Sequence, residues 1–104
     1  RPVLVYTPAA AIAYAPAEFR DPELGEVLAR FSRDQRQALA ALARELGMEF
    51  IDLTPALQRI AQEQAPAEDN LLYFPGNIHL TPRGHAVVAR TLADALAGPL
   101  AAAK

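Results

Sequence analysis

Met48-Glu49-Phe50-Ile51-Asp52-Leu53 is the stretch that decides how this chain folds. It is short, mostly apolar, and stopped by Thr54-Pro55, which reads as a buried strand. Upstream, Val3-Leu4-Val5-Tyr6-Thr7 is a β-branched and aromatic run stopped by Pro8. Being apolar on both faces, it suits a strand covered on both sides of a parallel sheet. Between the two lies a helical pattern with Leu24, Val27, Leu28, Phe31, Ala38, Leu39, Leu42 and Leu46 as its inward face. Asp21-Pro22-Glu23 starts that helix with a capping oxygen, Pro at the first position and an early acid. Gly47 ends it where a left-handed residue belongs. Strand, long helix, strand at this spacing is a βαβ unit with parallel strands.

The flanks extend this unit. Ala9 to Arg20 is Ala-rich, with Pro16 inside and Tyr14 and Phe19 as anchors, and reads as an irregular connection with a single helical turn. Thr54-Pro55 starts a second long helix with a hydroxyl cap and carries Leu57, Ile60 and Ala61 inward. Polar residues from Gln62 to Asn70 end it, and Leu71-Leu72-Tyr73-Phe74 is a short third-strand candidate broken by Pro75-Gly76. Thr81-Pro82 repeats the capping device for a final helix with Val87, Val88, Leu92, Ala95 and Leu96, expected to stop at Gly98-Pro99. The expected fold is α/β: a three-layer, flavodoxin-like parallel sheet with three helices, incomplete at two strands and a third candidate. Residues 1–98 form the domain and 99–104 a frayed tail. A sheet this narrow leaves parallel edges exposed, so its edge is expected to be covered by the remainder of a larger chain or by a second copy.

Composition narrows the chemistry. With 104 residues the chain is one domain at most, and 10 Lys+Arg against 12 Asp+Glu give a net charge of −2. The Arg30, Arg33, Arg36 and Arg44 series is interspersed with acids and reads as a solvated helix face, so no nucleic-acid partner is expected. No run reaches the ~20 apolar residues of a membrane span. No cysteine is present, which removes disulfides, thiolate metal sites and cysteine nucleophiles. His79 and His85 lack a third metal ligand at useful spacing, and the glycines are isolated, so neither a metal nor a phosphate-bearing cofactor is expected. The sole serine, Ser32, sits mid-helix between Phe31 and Arg33.

In open α/β sheets the site lies at the carboxyl ends of the strands. Thr7-Pro8, Asp52-Leu53-Thr54 and the loop Tyr73 to Leu80 should therefore converge. Leu72-Tyr73-Phe74-Pro75-Gly76-Asn77-Ile78-His79-Leu80-Thr81-Pro82-Arg83-Gly84-His85, followed by an amphipathic helix, resembles the last motif block of the SGNH (GDSL-type) hydrolases. Phe50-Ile51-Asp52-Leu53-Thr54-Pro55 and the strand ending at Thr7-Pro8 resemble the branch with alginate O-acetyltransferase-like proteins. The resemblance covers most of the chain but only the C-terminal half of that family's domain.

The resemblance implies an esterase or O-acyltransferase acting on an acylated small molecule or polysaccharide, in an exported or periplasmic setting. It makes His79 the general base and places Asn77 where the family carries the orienting Asp. Asn can hold an imidazole through its amide oxygen but cannot stabilise the imidazolium formed during attack. The family's Gly-Asp-Ser nucleophile block has no counterpart in these residues, so the chain alone should be inactive. Two other readings stand beside this one. Asn77 also suits a plain turn after Pro75-Gly76, which would fit a non-catalytic SGNH-like module binding a partner or carbohydrate. His85 suits packing or a helix-start hydrogen bond, and Asp52 a cap on the following helix.

Overall fold

The structure is a computed structural model, and it describes residues 2–14, 21–63, 69–75 and 78–103. It is mixed α/β and mostly helical. The order is β1 (Val3–Tyr6), α1 (Ala10–Ala13), α2 (Pro22–Glu45), β2 (Glu49–Asp52), α3 (Thr54–Glu63) and α4 (Pro82–Ala103). β1 and β2 pair in parallel, with Val3 opposite Glu49 and Tyr6 opposite Asp52, so the βαβ expectation holds.

Local chemistry explains where the long crossover helix begins and stops. Asp21 accepts the amides of Glu23 (3.0 Å) and Leu24 (3.4 Å), while Pro22 occupies the first turn, where its missing N–H costs nothing. At the other end Gly47 takes φ 68°. The Met48 amide reaches back to the Ala43 carbonyl (2.8 Å) and the Gly47 amide to Arg44 (3.3 Å), satisfying two of the helix's last carbonyls.

The core lies on one side of the sheet. Ala13, Tyr14, Ile51, Leu53, Leu57, Leu72 and Tyr73 form it, and Val87, Val88 and Leu92 of α4 pack against them. Gln58 of α3 donates to the Ile12 carbonyl (3.1 Å), fixing α1 over α3. α2 lies on the opposite side, because alternation along the strands turns Tyr6 and Asp52 away from Ile51 and toward it. Among the described residues no helix is long and apolar enough to cross a membrane.

Several expectations need correction. The third strand does not form: Leu71–Phe74 joins no sheet, and Tyr73 makes one antiparallel bridge to Leu80 instead. The Leu72 carbonyl accepts from Thr81 and the Phe74 amide donates to the His79 carbonyl, so the segment folds back on itself as a hairpin. β1 is not covered on both faces, since Val5 is exposed. α4 does not stop at Gly98-Pro99; the Ala-rich tail has strong helix propensity and the helix runs to Ala103, where fraying from 99 onward was expected. The helical period of α2 holds, but its docking face differs. Leu24, Val27, Phe31, Leu42 and Leu46 are exposed, and Ser32 and Ala43 are buried. The helix approaches a sheet only two strands wide by Ser32 and Ala43, with Leu28 and Leu39 half-buried beside them, and that sheet cannot cover an apolar face so broad. Arg36, expected in solvent, turns to the sheet and pairs with Asp52 at 3.1 Å.

The caps of the last two helices divide differently. Thr81 Oγ1 accepts the Gly84 amide (3.0 Å) and donates to the Leu71 carbonyl, as a capping hydroxyl should. Thr54 Oγ1 is buried without a hydrogen-bond partner; Asp52 caps that helix, accepting the Thr54 amide at 2.9 Å. The Asp52 reading therefore holds and the Thr54 one does not.

Gly84 is fixed by space. A Cβ at this position would lie 2.1 Å from the Leu72 carbonyl oxygen and 2.9 Å from Leu80 Cδ2. Gly98, in the same helix, has nothing within 4 Å. Gly84→Ala should therefore lower stability in urea titration by about 1–3 kcal/mol, the usual cost of overpacking. Gly98→Ala should be neutral or raise it by up to about 1 kcal/mol, as expected for an open helix position.

Candidate functional site

The block from Leu71 to Gly84 is held to the βαβ unit by two buried tyrosines. Tyr73 donates its hydroxyl to the Pro8 carbonyl (2.6 Å), just beyond the end of β1. Tyr14 accepts the Leu72 amide (2.7 Å). Their rings meet edge to face, with centroids 6.1 Å apart and planes at 68°. The hairpin that carries His79 is thereby fixed beside the carboxyl end of β1. All three segments expected to converge do so: Asp52 ends β2 opposite Tyr6, and Leu53 packs in the core with Leu72 and Tyr73.

The Asp52 side chain, however, turns to the other face of the sheet. Asp52 stands at the end of β2, and its carboxylate is engaged by Arg36 and by the Thr54 amide. It acts as a cap and an ion-pair partner on the α2 side of the sheet. His79 is exposed, and its carbonyl closes the hairpin by accepting the Phe74 amide (3.0 Å). Asn77, with Gly76, lies outside the described residues. His85 is exposed in the first turn of α4, where its amide makes the helix-start bond to the Thr81 carbonyl (2.9 Å).

Ser32 is excluded as a nucleophile. It is 3% exposed in the middle of α2, and its Oγ lies 3.4 Å from the Tyr6 hydroxyl, which donates to Gln35 at 2.8 Å. Among the described residues no cluster of His, Asp and Glu could hold a metal. A cleft of about 500 Å³ opens beside the hairpin base, lined by Leu71, Phe74, Pro75, Thr81, Pro82 and Arg83 with Asp69; His79 is not on its wall.

Sequence reasoning took Tyr14 as an anchor but missed the hydroxyl of Tyr73, the bond that places the hairpin. The available signal was a tyrosine in an otherwise apolar run, because a buried hydroxyl requires a partner. Comparisons with family models, with curated proteins and with solved structures find no match.

Burial pushes the Tyr73 phenol up to about 12 from an ordinary value near 10, with Tyr14 beside it adding to the shift. The folded value lies above the unfolded one, so burial of the neutral phenol contributes its full stability below pH ~10 and loses it as pH rises toward 12. Absorbance at 295 nm should show one tyrosine ionising with or after unfolding, and the urea midpoint should fall between pH 10 and 12. In Tyr73→Phe that part of the fall should disappear.

Proposed function

We propose that this chain is the base-bearing C-terminal part of an SGNH-type esterase or O-acyltransferase site acting on an acylated small molecule or polysaccharide. His79 is its general base, and the attacking serine comes from outside these residues. The observation that supports the reading is the hairpin: Tyr73 ties it to the Pro8 carbonyl just beyond β1, and His79, on the same hairpin, is exposed. The sequence resemblance at 72–85 supports it, and three of its positions have separate physical work. Thr81 caps α4, Gly84 permits the close approach to Leu72, and Leu80 closes the bridge to Tyr73.

In this reading His79 takes the proton of the serine hydroxyl as the oxygen attacks the acyl carbon. The proton then passes to the departing alkoxide as the ester C–O bond breaks. Water completes hydrolysis of the acyl-serine, or a sugar hydroxyl accepts the acyl group. Asn77 in place of an Asp leaves the imidazolium without its compensating charge, which slows the first step. The same residue favours a second reading, a module that binds acylated carbohydrate without turnover.

The chain alone should hydrolyse p-nitrophenyl acetate no faster than its His79→Ala variant. The gene encoding it should place a Gly-Asp-Ser block upstream of Arg1, and the product of both parts should lose at least about a hundredfold in kcat on His79→Ala. Asn77→Asp should raise turnover at least about tenfold. A gene without that block, or a His79→Ala variant of full activity, rejects the reading. An Asn77→Asp variant that binds acetylated polysaccharide but still does not turn it over favours the binding module.

A further inference from the structure

α2 carries two stripes about 100° apart around its axis. Leu28, Ser32, Arg36, Leu39 and Ala43 face the sheet, all half-buried or buried. Leu24, Val27, Phe31, Ala38, Leu42 and Leu46 form the adjoining stripe, and its large side chains are between 45% and 63% exposed. On one flank of the sheet-facing stripe Arg36, Gln37 and Ala40 border Phe50 and Asp52 of β2. On the other flank Gln35 meets Tyr6 of β1. The apolar stripe continues past Gln35, so it overhangs the outer edge of β1.

Among the described residues that edge has no strand partner either. The β2 ladder engages the carbonyls of Pro2 and Tyr6, so alternation turns the N–H and C=O groups of Val3 and Val5 away from β2. No strand among the described residues pairs with them. An unpaired strand edge beside an uncovered apolar helix face is one continuous surface.

We infer that this surface, the β1 edge with the apolar stripe of α2, binds a second copy of the chain across a two-fold axis near Gln35. The stripe reads nearly the same in both directions about Gln35. Antiparallel pairing sets Leu24 against the partner helix near Leu46, Val27 against Leu42, and bulky Phe31 against small Ala38. Such self-complementarity is what an isologous interface requires. The same two-fold lays the β1 edges side by side in antiparallel order and leaves both α2 helices on one face of the joined sheet. Built from a four-residue strand edge and one helix stripe per copy, the interface falls at the small end of specific ones. The inference does not depend on the acyl-transfer reading.

Light scattering at about 100 μM, a concentration suited to a small interface, tests it with the chain as it is. The expected mass is twice that of the monomer. Phe31→Glu, an exposed position in the folded chain, should give a monomer with an unchanged circular dichroism spectrum. Gln37→Glu, on the β2 flank, should leave the dimer intact. In a chain without cysteine, Gln35→Cys should cross-link to itself under oxidation, and Gln37→Cys should not. A monomer at this concentration overturns the inference. So does a dimer that survives Phe31→Glu, which would lie on another face. A monomer that binds anilinonaphthalene sulfonate through Phe31 also overturns it, and assigns the stripe to another polypeptide or to a further segment of a longer one.

Discussion

The pair of buried tyrosines is the constraint on which the rest of this structure depends. A two-stranded sheet has too little surface to organise a core alone. Besides its direct packing on α3 and the core, α4 is joined to the βαβ unit by the hairpin, anchored by Tyr73 on the Pro8 carbonyl and by Leu72 on the Tyr14 hydroxyl. Both bonds are buried, where a lost partner would leave a polar group unsatisfied at about 1–3 kcal/mol. They also set the first turn of α4. Its cap reaches the Leu71 carbonyl, and its close contact with the Leu72 carbonyl admits glycine alone.

The opposite side of the sheet obeys a different constraint. α2 is 24 residues long, yet it covers a sheet of two short strands. It docks by Ser32 and Ala43, the half-buried Leu28 and Leu39 and one ion pair, and its broad apolar surface exceeds what the sheet can bury. The polar contacts there, Tyr6 with Ser32 and Gln35 and Arg36 with Asp52, fix the rotation of the helix about its axis. Because they hold that rotation, the uncovered stripe points to one edge of the sheet.

Most features that depend on neighbouring residues were legible in the sequence, the Thr54 cap and the end of α4 excepted. Asp21-Pro22, Gly47 and Thr81-Pro82 mark helix ends through local hydrogen bonding, and the structure keeps all three. The parallel pairing of β1 and β2 was legible because a long crossover helix leaves few alternatives. Features that depend on distant partners were not. Nothing local distinguishes a hairpin at 71–81 from a third strand, because the difference lies in what Leu72 and Tyr73 meet 58 and 65 residues away. The docking face of α2 was hidden for the same reason, since periodicity locates an apolar face without saying how much of it a narrow sheet will cover. At the candidate site, the approach of the segment around Tyr73 to the end of β1 could be foreseen from topology. The engagement of Asp52 by Arg36 could not, because it follows from the rotation of α2.

The claim that the hairpin is a fixed part of the fold is open to direct test by native-state amide hydrogen exchange at Leu72. Its N–H is buried on the Tyr14 hydroxyl, so exchange should require global unfolding and track the free energy from urea titration. Tyr14→Phe should accelerate it selectively. Exchange at Leu72 as fast as at surface amides, with the strand amides still protected, would show that the hairpin opens independently and contradict the account.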